Sequence, residues 1–112
     1  MEHVAADDGT SLEPMEGVQL TMLAGGERMN VQAFEIEPGA VVPAHSHHHE
    51  QVGQVIDGVL TFVTDDAEHE IGPGGSYAIR SEERHGAENR GTETVRGVEL
   101  FSPPREAPDW AE

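Results

Sequence analysis

Seven consecutive residues in the middle of the chain, His45-Ser46-His47-His48-His49-Glu50-Gln51, together with His85 on a later segment, offer imidazoles and an amide of the kind that hold a divalent metal ion. The chain has no cysteine, which excludes disulfides and thiolate sites and leaves histidine nitrogen and carboxyl or amide oxygen as ligands. His45 and His47 are two residues apart, and on an extended chain that spacing projects both rings to one side, where they can meet one ion. A helical pair at His45 and His49 is disfavoured, because Val41-Val42-Pro43 sets two β-branched residues and a helix breaker directly before the run. An exposed polar loop would also account for a histidine run. A purification tag would not, since it would sit at a terminus.

The elements that must position these residues are short. Breakers recur at Gly25-Gly26, Pro38-Gly39, Asp57-Gly58, Asp65-Asp66, Pro73-Gly74-Gly75, Asn89-Arg90-Gly91 and Pro103-Pro104. Between them, Val18 to Ala24, Met29 to Glu37, Gln51 to Ile56, Val59 to Thr64, Ser76 to Arg80 and Thr92 to Phe101 carry β-branched or aromatic residues, several in alternation with polar ones. No stretch keeps a helical period over three turns. Asp57-Gly58 between QVGQVI and VLTFVT predicts a type I′ hairpin, with both central residues at positive φ. Many short antiparallel strands imply an all-β sandwich, jelly roll or barrel. One domain over residues 1–112 is expected, with 1–14 a loose arm and 106–112 a tail in which Trp110 suggests docking across a dimer.

The formal net charge is −16, from 22 acidic residues against six arginines and no lysine. Such a surface repels nucleic acid and anionic membranes, so neither is expected as a partner. A lysine-free polyanion suggests adaptation to molar salt, where screening removes self-repulsion. No apolar run approaches the roughly 20 residues of a spanning helix. The N-terminus MEHVAADDGT has neither a basic start nor an apolar core, so a soluble, cytoplasmic protein is expected. Small sandwiches leave edge strands exposed, and a homodimer formed by edge pairing or arm exchange is the expected assembly.

The spacing of the first segment, Gly39, five residues, His45, one residue, His47, three residues, Gln51, six residues and Gly58, resembles the first motif of the cupin superfamily. Pro73-Gly74-Gly75, Ile79, His85 and Asn89 resemble the second. The resemblance implies a double-stranded β-helix, a jelly-roll barrel. It also implies that His45, His47, Gln51 and His85 hold one divalent transition metal, Zn, Ni, Fe or Mn. Glu50 is the tempting carboxylate but lies one residue out of register, since the six-residue gap to Gly58 begins at Gln51. Many cupins carry Glu at that position; a neutral amide leaves the ion's charge uncompensated, which strengthens it as a Lewis acid and weakens its retention. His48 and His49 are expected at the rim or behind the ligands, His69 and His3 on the solvated surface. Arg80-Ser81-Glu82-Glu83-Arg84 replaces a Pro- and Gly-rich approach to the last histidine. Its arginines could bind a substrate carboxylate or pair with neighbouring acids.

Glu99-Leu100-Phe101-Ser102-Pro103-Pro104-Arg105-Glu106 resembles the closing strand of small cupins of the KdgF kind, which open 4,5-unsaturated uronates to the keto form. By that resemblance Glu99, Phe101 and Arg105 serve the substrate: Glu99 as acid/base in place of the usual Asp, Phe101 over a sugar face and Arg105 on the carboxylate. Alternation sets Glu99 and Phe101 on the same face as 95 and 97, directed into the barrel. Three function classes follow: the uronate enzyme, another metal-dependent cupin enzyme such as an Fe(II) dioxygenase, isomerase or lyase, and a non-catalytic module that binds a small ligand. The substrate expected is a small anion.

Overall fold

The computed structural model describes residues 1–105, so Trp110 and the tail over 106–112 lie outside the described residues. Turns at the breakers divide the chain into ten strands: β1 Thr10–Met15, β2 Val18–Gly25, β3 Asn30–Ile36, β4 Val41–His45, β5 Glu50–Asp57, β6 Leu60–Thr64, β7 Glu68–Ile71, β8 Ser76–Ile79, β9 His85–Glu88 and β10 Val95–Ser102. One sheet runs β1-β2-β3-β10-β5-β8 and the other β4-β9-β6-β7, with every pairing antiparallel. This is the all-β jelly roll expected. The sole helical element among the described residues is one 3-10 turn, Ala6–Asp8.

Alternation sets which side chains meet between the sheets. Along β3, residues 30, 32, 34 and 36 are buried, and along β10 residues 95, 97, 99 and 101 are. Phe34 and Ile36 join Val18, Leu20, Val55, Leu60, Phe62, Ile79, Ala87 and Val95 in one apolar core. Each large side chain here contributes about 1.5–3 kcal/mol relative to exposure. β10 is central in its sheet, between β3 and β5, so a polar group on its inner face is enclosed on both flanks.

Two expectations are corrected. Asp57-Gly58 does not close a β5–β6 hairpin: β5 pairs with β10 and β8, whereas β6 pairs with β9 and β7 in the other sheet. Gly58 has φ 80°, but Glu82 is the only non-glycine at positive φ among the described residues, so Asp57 does not complete a type I′ turn. The end of β5 is bonded instead to the Pro73-Gly74-Gly75 turn, with Val55 N–H donating to Gly75 O at 3.0 Å and Gly74 N–H to Val55 O at 2.8 Å. The arm is also shorter than 1–14. From Thr10 the chain is β1, held on β2 in the register Thr10↔Met22 to Leu12↔Leu20, with Leu12 and Met15 packed against the core.

Candidate metal centre and buried carboxyl

β4 and β9 are paired so that His45 lies opposite His85, and their ring centroids are 4.5 Å apart. His47, just past the end of β4, turns its ring to the same side, 5.4 Å from His45 and 5.0 Å from His85. One nitrogen from each ring lies within 4.8 Å of the others, a grouping that could hold a metal ion. His47 and His85 are buried and His45 is half-buried.

Each Nδ1 faces a backbone carbonyl two residues away at 2.8 Å: His45 to Pro43, His47 to His49 and His85 to Glu83. A carbonyl can only accept, so Nδ1 carries the proton and Nε2 is left as a lone pair directed inward. Burial, the largest cause, holds His45 down at about 4; its bond to Pro43 works against this and His85 and His47 add to it. Burial likewise lowers His85. Both rings are therefore in the neutral, ligating form at neutral pH.

Gln51 is buried on the inner face of β5, and Glu50 is exposed. The Gln51 amide Nε2 donates to Glu99 Oε1 at 2.7 Å, which turns its Oε1 toward His47 Nε2 at 3.1 Å. Gln51 thus presents its oxygen to the three-histidine group through His47, and imidazole nitrogens with a neutral amide oxygen are a donor set that fits a divalent transition metal.

Glu99, only 7 % exposed, accepts from Gln51 Nε2, from Gln32 Nε2 at 2.9 Å and, in a very short bond, from Tyr77 Oη. Desolvation raises the Glu99 carboxyl above the usual range, against the lowering effects of Tyr77, Arg105, Gln51 and Gln32. Desolvation, then the charge of Glu99, pushes Tyr77 well above its ordinary value. Arg105 is buried, with its guanidinium carbon 3.8 Å from the centroid of the Phe101 ring. Asn30 clamps the Arg105 backbone in both directions: Arg105 N–H donates to Asn30 Oδ1 at 2.7 Å and Asn30 Nδ2 to Arg105 O at 3.0 Å.

A cavity of about 50 Å³ is lined by His45, His85, Gln51, Glu99, Gln32 and Arg105 together with Phe34, Phe62 and other core residues. Phe101 is fully buried beneath Arg105 and beside His47, so its ring backs the guanidinium and is not open to a sugar face. Arg80 and Arg84 are exposed outside the cavity, and Arg84 lies 3.8 Å from Asp65. The Arg80–Arg84 loop is tied to the first motif by Glu82 N–H on His47 O at 2.7 Å and Ser81 Oγ on His48 O at 2.6 Å. His48, His69 and His3 are exposed, and His69 stands on β7. The half-buried ring of His49 packs at 5.6 Å from His47, outside the three-histidine group.

Tyr77, Gln32 and Asn30 are parts of the candidate site that sequence reasoning missed. A signal existed for two of them. Asn30 and Gln32 share the face of Phe34 and Ile36, and amides on the core face of a strand require partners there.

The sequence profile of the cupin domain family matches residues 32–101, a span that includes every proposed metal ligand. KdgF from Halomonas sp. superposes with a TM-score of 0.82 at 23% identity, covering 94% of this chain and 97% of that one. An RmlC-like cupin from Shewanella frigidimarina gives 0.83 at 23% identity, with 95% of each chain covered. The polyketide cyclase RemF from Streptomyces resistomycificus gives 0.80 at 24% identity over 96% of this chain and 82% of that one. At these identities the likeness is one of fold.

Proposed function

This chain belongs to the cupin domain family, and from that premise we propose that it is a metal-dependent enzyme acting on a small anion, a 4,5-unsaturated uronate that it opens and ketonises. The observation that carries the proposal is the shared cavity of Glu99, Arg105, Gln51, His45 and His85. A proton-carrying carboxyl, an anion-binding guanidinium and a metal-ligand set lie against one small volume. The fold likeness to KdgF supports the choice of substrate class.

His45, His47, His85 and Gln51 would hold the ion. When bound, it supplies Lewis acidity toward an oxygen of the substrate, undiminished by any anionic ligand. Arg105, held over Phe101 and fixed by Asn30, pairs with the uronate carboxylate. Glu99 carries the proton. As the C1–O5 bond of the cyclic hemiacetal breaks, the anomeric hydroxyl gives up its proton and O5 gains one, leaving an aldehyde and an enol. Protonation of C4 and loss of the enol proton then give the ketone, so the overall change is an isomerisation. A carboxyl raised by desolvation suits both halves, because it holds its proton more readily than an exposed glutamate and can both take and return one.

The test is turnover of 4,5-unsaturated galacturonate by metal-loaded protein in molar KCl, read as loss of the substrate's ultraviolet absorbance against an EDTA-treated control. Metal-dependent loss is expected. No loss from folded, metal-bound protein would overturn the uronate reading in favour of an oxygenase or other cupin chemistry, or of a ligand-binding module.

A further inference from the structure

Tyr77, Gly53 and Glu99 form one rung across three strands. Gly53 of β5 is paired with Tyr77 of β8 on one side and with Glu99 of β10 on the other. Adjacent strands are about 4.8 Å apart, so the outer two backbones of this rung are about 10 Å apart. The Tyr77 side chain covers that distance by lying across the middle strand, and its hydroxyl donates to Glu99 Oε1. Its ring is set by Phe62, with centroids 4.5 Å apart.

Glycine at 53 is what leaves the path open. A Cβ there would overlap the Tyr77 hydroxyl and stand 2.5 Å from Tyr77 Cζ and 2.9 Å from the carbonyl oxygen of Val98. The backbone itself makes no such demand, since Gly53 is not among the glycines at positive φ. A glycine inside a strand that is needed for space marks a close approach, here of a side chain.

Glu99 Oε1 accepts from Tyr77 and from Gln51 Nε2, and the second bond determines which end of the amide faces the imidazoles. We propose that Tyr77, reaching over Gly53, is a positioning residue of the metal centre: it holds Glu99 in the rotamer that turns the Gln51 oxygen toward His47 of the three-histidine group. The inference rests on the metal-centre reading above. A glutamate has three side-chain torsions, and loss of one of its donors lets the carboxylate swing and the amide with it. Outer partners of this kind are worth about 10- to 100-fold in metal affinity. Tyr77 is one bond further out, which places its effect at or below the low end.

The experiment is titration with Co²⁺ against a chromophoric chelator, recording the ligand-field absorption and thermal unfolding of each protein. Tyr77→Phe keeps the ring on Phe62 and removes the hydroxyl; Gly53→Ala keeps the hydroxyl and blocks its path. Both are expected to bind Co²⁺ about three- to tenfold more weakly, with the same displaced absorption band. A purely structural role would lower the unfolding temperature without moving the band. Parent-like affinity and band in Tyr77→Phe would overturn the inference, whatever Gly53→Ala does and even if that variant fails to fold. The underlying reading fails differently: either the parent binds no Co²⁺, or His85→Ala binds it as the parent does, and both proposals then fall.

Discussion

The guanidinium carbon of Arg105 lies over the ring of Phe101, 3.8 Å from its centroid, although Phe101 is in the last strand and Arg105 is three residues past its end. The ring is fully buried, so it presents the cation to the cavity from behind. Phe101→Leu keeps most of the volume and removes the cation–π contact, worth about 0.5–2 kcal/mol. The expected outcome is a rise in KM for the uronate of about 2- to 30-fold with little change in kcat. Phe101→Ala is expected to lower stability by about 3–5 kcal/mol, read by denaturant unfolding. A Phe101→Leu enzyme with reduced kcat at unchanged KM would contradict the supporting role.

Asn30 gives the other half of that placement. Its amide meets both backbone polar groups of Arg105. Asn30→Ala leaves an N–H and a carbonyl in a buried site without their partner, at about 1–3 kcal/mol each. Stability should fall by about 2–6 kcal/mol, and KM should rise several-fold as Arg105 loses its anchor. Steady-state kinetics beside urea unfolding separates the two effects, and an unchanged KM would remove Asn30 from the site.

How much of this was legible in the sequence depended on whether the signal was local. The spacing of His45, His47 and Gln51 encodes a side-by-side placement on an extended chain, and the structure brings the two histidines together with His85. Alternation along β10 puts Glu99 and Phe101 on one buried face, which the residue pattern expresses directly. What the pattern does not express is pairing across the sheet. Asp57-Gly58 marks a turn, but a dipeptide carries no information about which sheet receives the next strand. β7 is not among the segments expected as strands, because Glu68-His69-Glu70 lacks strand formers; its conformation comes from pairing with Leu60–Thr64. Tyr77 reaches Glu99 only because three strands align in one register.

The lowered histidines give a pH dependence whose sign can be worked out. His45 titrates at about 4 in the fold against 6.5 in the open chain, and His85 is shifted in the same direction. Between those values the unfolded chain binds more protons, so stability falls as pH drops from about 6.5 toward about 4. Glu99, shifted upward, works in the opposite sense. Thermal unfolding of metal-free protein should therefore lose less on acidification in His45→Gln and His85→Gln than in the parent. Equal losses in all three would show that these rings are solvated and not desolvated. The same shifts lower proton competition at two ligands. Metal retention should therefore extend below the pH of about 6 at which ordinary imidazoles release it, as equilibrium dialysis would measure.

Substituting Glu99 separates its two attachments. Glu99→Gln keeps the shape, removes the titrating proton and sets an amide against the Gln51, Gln32 and Tyr77 donors. A loss in kcat of about 100-fold or more is expected, the scale of a positioned acid/base. Metal affinity should fall less, by about tenfold, through the misoriented Gln51. Full uronate turnover by Glu99→Gln would end the acid/base assignment while leaving the histidine group untouched.

Salt acts on the whole surface, and two opposing effects decide its sign. Screening weakens surface pairs such as Arg90 with Glu68 and Glu88, at 2.5 and 2.6 Å, which contribute little in solvent. It also relieves the mutual repulsion of 22 acids faced by only six arginines. With a net charge of −16 most acids have no cation to pair with, so the repulsive sum is the larger. The Debye length falls from about 10 Å at 0.1 M to about 3 Å at 1 M, which spans the spacing of neighbouring surface charges. The unfolding temperature is therefore expected to rise across that range of KCl. Two like-charged copies also repel less, so any self-association through the edge strands β1, β8, β4 or β7 should strengthen in parallel. Sedimentation velocity at both salt concentrations tests this second effect. A monomer at high salt, with the unfolding temperature still raised, would remove the homodimer and leave the surface argument in place.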